Sequence, residues 1–447
     1  MARIDPHLIP TRPQPSMPDL NPMRAQAAAV AEPPPVASLA ASPATPPAAA
    51  APRPHLPPGA IVCLSIAAFG SAMSLRINDA LLPRLALEFA VSLGTASQAI
   101  SAFAIAYGVA QLMFGPLGDR FGKYRVIAWA CAGCAVTASL CGLATDFATL
   151  RLARALAGAT AAAIVPLAMA WIGDVVAYEE RQPVLARFLI GQISGVTAGV
   201  WVGGFAADHL SWRTPYFVLG ALFALVFVAL RVLDRRLPDA ARTMQLSSGS
   251  PLRRMASDFG HVLDKPWARV VLITVFLEGV FLYGPFAFIA AHLHQAFGVS
   301  LSMAGSLVML FGLGGLLYAA FAGRLVRGLG EVGLVRWGGA LLTASLSVVA
   351  FAPGWQWSVP GCLIAGLGFY MLHGTLQINA TQMAPERRGA AVSAFASCFF
   401  LGQAAGVALA GLAVESLGVP AAIGLGALGV LGVALNFARL RSRLRLR

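Results

Sequence analysis

From residue 59 onward the chain alternates between apolar runs and short polar breaks. The runs fall at 59–83, 97–117, 126–144, 150–172, 184–206 and 214–233, then at 268–289, 303–322, 332–351, 359–380, 389–414 and 420–438. Crossing roughly 30 Å of hydrocarbon as a helix takes about 17–25 apolar residues. The pattern therefore predicts an all-α membrane protein with twelve transmembrane helices. Only Thr145, Asp146 and Phe147 part the third and fourth runs, which predicts a tight helical hairpin. The break after the sixth run differs in kind. It is long and charged, with Arg235, Arg236, Arg242, Arg253, Arg254, Asp258 and Lys265. Six spans, a linker and six more spans predict two pseudo-symmetric six-helix bundles. The expected units are a tail over 1–58, a first bundle over 59–233, a linker over 234–267, a second bundle over 268–438 and a basic tail over 439–447.

Composition narrows the solvent. The chain is 58% hydrophobic and 11% charged, where soluble domains carry about 25% charged residues. Lipid is therefore the expected surroundings. The Pro- and Ala-rich stretch over 1–58 has no apolar core and reads as a disordered cytoplasmic extension. The net charge of +13 does not point to nucleic acid, because Lys and Arg cluster between apolar runs and form no continuous basic face. One set of alternate loops holds Arg120, Lys123, Arg125, Arg181, Arg187, the linker, Arg324, Arg327, Arg336, Arg387, Arg388 and the terminal arginines; the other holds Arg84, Arg151 and Arg213. By the positive-inside bias, both termini are expected in the cytoplasm of a multi-pass inner-membrane protein. The six cysteines sit within apolar runs, and Cys131-x-x-Cys134 has no second pair or nearby histidine, so neither a metal site nor a cofactor is expected. No phosphate-binding G-x-x-x-x-G-K-[ST] loop and no nucleophile elbow is present. The expectation is that the protein is not an enzyme.

The break between the second and third runs reads Gly115-Pro116-Leu117-Gly118-Asp119-Arg120-Phe121-Gly122-Lys123-Tyr124-Arg125. Glycines permit the sharp turn and close helix approach, and Asp119 at a helix end can meet neighbouring charges. The stretch resembles the G-x-x-x-D-R-x-G-[RK]-[RK] loop of the major facilitator superfamily, with Tyr124 before the last arginine. A degenerate copy without the aspartate, Gly323 to Gly330, follows the eighth run, which fits an internal duplication. Arg154 and Gly158 in the fourth run resemble that family's R-x-x-x-G motif, whose arginine is associated with proton coupling. The other reading has Arg154 snorkelling to the outer interface. Gly195, Gly199, Gly203 and Gly204 resemble the G-x-x-x-G-P-x-x-G-G motif of drug and metabolite antiporters, with Val200 in place of proline. The same glycines also suit plain helix packing.

Ionisable groups inside a span cost about 2.5–3.5 kcal/mol on insertion scales and are functional candidates by default. The resemblance implies that spans one, four, seven and ten line a central cavity. There lie Arg76 and Asp79 with Asn78, Glu278 in the seventh run, and His373 with Asn379 in the tenth. Arg76 and Asp79 are three apart and either neutralise each other or serve the cavity. Glu278 has no basic neighbour on its own helix and is expected to pair across the cavity, with Arg76, or to stay protonated. His373 is a titratable candidate or a packing residue. At the cytoplasmic side the resemblance implies that Asp174 joins Asp119 and Arg125 in a charge relay; the other reading is a plain surface acid.

Two bundles rocking around a midplane site make a secondary active transporter of a small organic solute. The glycine motif favours proton-coupled export; Val200 keeps an uptake symporter or facilitator open, and a non-transporting sensor or scaffold is a further alternative. The expected partners are the solute, protons or another coupling ion, and the bilayer, with no nucleic acid; the expected assembly is a monomer.

Overall fold

The computed structural model describes residues 57, 59–242 and 251–445; the tail over 1–58, apart from residue 57, lies outside them. The first half holds α1 (Ala60–Arg76), α2 (Asn78–Glu88), α3 (Leu93–Phe121), α4 (Lys123–Leu143), α5 (Phe147–Ala161), α6 (Ile164–Val175), α7 (Tyr178–His209) and α8 (Thr214–Asp234). After α9 (Pro251–Asp264), the second holds α10 (Pro266–Glu278), α11 (Gly284–Phe286), α12 (Ile289–Phe297), α13 (Leu301–Phe351), α14 (Ser358–Gln382), α15 (Arg388–Leu417) and α16 (Val419–Arg445). Among the described residues, ten helical stretches are long and apolar enough to cross a membrane, and α1 with α2 makes one more span bent by 44°. The 51-residue α13 is two spans joined at Gly330, whose φ of 61° and ψ of 179° interrupt the helix. With that division there are twelve.

Local chemistry sets the ends. Ser92, Asp146 and Ser300 cap α3, α5 and α13 by accepting from the amides of Thr95, Thr149 and Met303. Gly122, at φ 88°, makes the tight turn from α3 to α4. The linker is more ordered than its polar composition suggests. Its described part contains α9, which seats Val262 and Phe259 in the core and turns Asp258 and His261 outward.

The two halves repeat one packing scheme at a nearly constant register. Gly195 and Gly199 on α7 lie against the carbonyls of Phe69 and Met73 on α1. Gly402 and Gly406 on α15 lie in the same way against Phe276 and Val280, each partner being 207 residues further on (195 to 402, 69 to 276). Gly158 meets the Phe103 carbonyl, and Gly366 meets that of Phe311, 208 residues on (158 to 366, 103 to 311). A Cβ at any of these positions would press on backbone, so small residues here let helices approach without a hydrophobic drive.

Between the halves α3 faces α15 and α7 faces α13. The glycines that cross this boundary are Gly94, Gly108, Gly204, Gly305, Gly312 and Gly411, all in the middle or at the end away from the basic loops. At that far end Ser92 bonds Glu415, and Asp208 accepts from the amides of Leu301 and Ser302 at 3.2 and 2.6 Å. At the basic end Gly115, Gly173 and Gly389 face open space. Among the described residues, the contacts between the halves thus gather in the middle and at the end away from the basic loops.

Candidate functional site

The first helix of each half breaks at mid-depth, and each break places charge. Pro83 has no amide proton for the Asp79 carbonyl and crowds it. The helix parts at Ile77, so Arg76 ends α1 while Asn78 and Asp79 open α2. In the second half a π-helical turn, Gly279–Tyr283, precedes Pro285 and leaves Glu278 as the last residue of α10.

On the first-half side Arg76 Nη2 lies 2.6 Å from Asp79 Oδ2, both side chains being almost wholly buried. Arg154 is also fully buried. Its Nε donates to the Ala99 carbonyl at 3.3 Å, and its guanidinium rests 4.3 Å from the Phe103 ring. The snorkelling alternative for Arg154 is excluded, because α3 and its Phe103 close over the side chain. Asn78 accepts from the Tyr216 hydroxyl.

On the second-half side Glu278 Oε2 is 2.9 Å from His373 Nδ1. The imidazole lies between the rings of Phe369 and Phe399, at 4.9 and 4.5 Å. The expected Glu278–Arg76 pairing is therefore corrected: Arg76 keeps its near neighbour Asp79, and Glu278 takes the histidine across from it on α14. The two clusters meet through aromatic faces, with the Arg76 guanidinium 4.9 Å from the Tyr283 ring and 4.7 Å from that of Phe286. Arg76, Tyr283 and Phe286 line a crevice with Thr197, Val200 and Phe311, so five helical segments of both halves contribute. Several buried polar atoms here have no hydrogen-bond partner among the described residues: Arg76 Nε, Asn78 Nδ2, Asp79 Oδ1, Arg154 Nη2 and Glu278 Oε1. Such atoms are expensive to leave unpaired and mark where water, a proton or a ligand completes the site.

Asn379 stands apart from this site. It bonds Glu331 at the basic end, where Arg441 also holds Glu331 at 3.0 Å. Six residues beyond His373 on one helix amount to about 9 Å of rise and a different face, so Asn379 cannot share the His373 pocket. The glycines Gly195, Gly199 and Gly203 seat α7 on α1, and Gly204 presses on the Leu301 carbonyl of the other half; they set helix spacing and touch no buried charge.

The loop motif forms a relay of different membership from that expected. Lys123 Nζ lies 2.6 Å from Asp174 and 3.6 Å from Asp119. Arg125 turns to Asp234 on α8 at 3.2 Å. The Gly122 turn is the cause, since it points Lys123 back along α3 and sends Arg125 to the α4 face that meets α8. Gly118 fits beneath Leu167, Gly115 meets nothing, and Arg120 covers the exposed Phe121 ring at 5.1 Å. Sequence reasoning gave no sign of the Tyr216–Asn78 bond or of the ion pairs from α9 to Glu386 and Arg387. Both join segments far apart in the chain.

A family model described as Major Facilitator Superfamily matches residues 64–407. The MFS-type transporter YceJ of Bacillus subtilis is 27% identical over 342 residues, 75% of this chain and 84% of that protein. The puromycin resistance protein pur8 of Streptomyces alboniger is 33% identical over 165 residues, 36% of this chain and 33% of its own. Among solved structures, the nucleoside transporter NupG superposes with a TM-score of 0.69 at 15% identity, covering 85% of this chain and 98% of that one. A bacterial homologue of the lysosomal transporter Spinster, in an inward-facing form, gives 0.65 at 19% identity over 86% and 96%. A duplicated helical fold, a mid-depth charged site between its halves and a family match over most of its length make this chain a multi-pass membrane transporter of the major facilitator superfamily.

Proposed function

We propose that the protein exports a small organic solute from the cytoplasm in exchange for protons, with its basic loops and both termini on the cytoplasmic side of the inner membrane. The observation that carries the reading is the Glu278–His373 pair, buried at mid-depth with one carboxylate oxygen unpartnered. Oε2 of this carboxylate meets one histidine and Oε1 meets no partner among the described residues, which leaves an oxygen on which a proton can be carried. Protonating Glu278 weakens the charge-assisted bond to His373 and changes the relative stability of the two facing states. One proton charge moved through 100 mV supplies about 2.3 kcal/mol, enough to shift that balance nearly fiftyfold. Asp79, held between Arg76 and Arg154, is the second proton-bearing candidate. The aromatic wall of Tyr283, Phe286, Phe311 and Phe369 suits an apolar or aromatic solute, and the partial likeness to a puromycin resistance protein supports export.

Reconstituted vesicles carrying an entrapped pH dye, challenged with a solute panel that begins with puromycin, test the proposal. Proton-driven accumulation is expected, with at least a tenfold loss in Glu278→Gln and in Asp79→Asn. Full accumulation in both variants overturns the coupling assignment. Val200, where antiporter-type glycine motifs carry proline, favours a second reading: symport or facilitated diffusion. Solute flux with no opposing proton flux in the same vesicles selects it.

A further inference from the structure

Two adjoining cavities lie at the basic end of the first half, away from the central charge clusters. One, of about 450 Å³, is lined by Arg125, Trp129, Arg231, Asp234, Arg235 and Arg242. The other, of about 490 Å³, is a groove walled by Phe114, Leu117, Phe121, Val126, Ala130 and Thr160, and it reaches the first through Arg125 and Trp129.

The first cavity concentrates positive charge around one buried acid. Asp234 Oδ2 takes Arg125 Nε at 3.2 Å and Arg231 Nη1 at 3.3 Å, and its carbonyl oxygen accepts from Arg242 Nη2 at 2.6 Å. The fold fixes this arrangement: the Trp171 indole donates to the Ala241 carbonyl at 3.1 Å and so tethers the chain beside Arg242. Arg235 is exposed and makes no ion pair among the described residues. Arg125, Arg231 and Arg235 around this one aspartate leave an excess of two positive charges among the residues lining the cavity, beside Arg242 on the Asp234 carbonyl. Guanidinium forks at this density match phosphate oxygens.

The groove gives the ligand its second feature. Trp129, 60% exposed, stands at the junction with its ring 5.6 Å from the Arg231 guanidinium, the position of an interfacial indole at headgroup level. Ala130 lies five residues deeper along α4 than Arg125, about 7.5 Å, so the apolar wall leads from the charges toward the bilayer interior. A solvated arginine belt has no such continuation.

We propose that these cavities form one site for an anionic phospholipid of the leaflet at the basic end, its phosphate among Arg125, Arg231, Arg235 and Arg242 and an acyl chain in the groove. Native mass spectrometry of the purified full chain, with dioleoyl phosphatidylglycerol or dioleoyl phosphatidylcholine added, provides the test. Phosphatidylglycerol is expected to be retained preferentially. Arg235→Gln, which removes no ion pair, lowers that retention about fivefold, and Arg231→Gln/Arg235→Gln about thirtyfold, with phosphatidylcholine unchanged. Trp129→Ala/Phe121→Ala brings the dioleoyl lipid down to the level of its dihexanoyl form, and inorganic phosphate displaces neither. Equal retention of the two headgroups, or undiminished phosphatidylglycerol in the double arginine variant at unchanged melting temperature, overturns the site. Displacement by phosphate with no dependence on chain length also overturns it, because a water-soluble anion then suffices.

Discussion

Arg76, Asp79 and Arg154 stand at positions whose counterparts in the second half are uncharged. By the register of the repeat, Arg76 corresponds to Tyr283, Asp79 to Phe286 and Arg154 to Cys362, while Glu278 corresponds to Ser71 and His373 to Val165. The charged site thus consists of residues that depart from the duplication, and a symmetry mate supplies the ring beneath Arg76. A buried pair broken on one side is costly, about 3–5 kcal/mol, whereas replacing both members by apolar groups is often close to neutral. Arg76→Met is accordingly expected to lower thermal stability in detergent sharply, and Arg76→Met/Asp79→Leu to recover most of the loss. A double variant less stable than either single one contradicts this account. The sequence made these residues stand out as ionisable groups in apolar runs. It gave no partners, because Glu278 and His373 are 95 residues apart and meet only when α10 and α14 pack. Nor did it show the depth of Arg154, which the covering helix α3 decides.

At the scale of elements, the spans were legible in place, since lipid imposes one length on every crossing, although some ends lie up to eight residues further out, as at Phe297 against 289. The helix α9 was not legible, because its polar positions read as linker and its apolar positions are few. It is fastened to the loop before α15 by Arg387–Asp258 at 3.3 Å and by Glu386 to Lys265 and His261. The Lys265 ammonium beside Glu386, then the local backbone and His261, push this carboxyl down to about 2. A carboxyl lowered in the folded state contributes fully above its ordinary value of 4.5 and loses that contribution as pH falls toward 2. The fastening is exposed, so salt screens it. Glu386→Gln is expected to speed amide exchange across α9 about threefold at neutral pH and low salt. In 1 M salt the variant and the natural chain should converge; a difference that persists there assigns α9 to apolar packing alone.

At the scale of the whole molecule, the contacts between the halves beyond its middle gather at a single end among the described residues. Ser92 with Glu415, and Asp208 with the start of α13, bridge the halves there, while the relay of Lys123, Asp119 and Asp174 stays within the first half. Joining Ser92→Cys to Glu415→Cys with a short dithiol-reactive linker should keep the halves together at that end. Cys63 and Cys398 need replacement first, the other four cysteines being buried. The joined protein is expected to bind solute but to lose at least nine-tenths of its transport in vesicles, restored on cleaving the linker. Unimpaired transport after complete joining shows that this end need not part.

Asp208 grips main-chain amides, and this makes the far seal adjustable from one side only. Any residue at 301 supplies the same N–H, proline excepted, while at 302 the serine hydroxyl joins its amide on Asp208. Variation at 301 therefore leaves the clasp intact, whereas a change at Asp208 alone releases both amides of the opposing helix at once. A chain could drift widely in solute preference through α13 while keeping its timing of opening in the charge of that one aspartate.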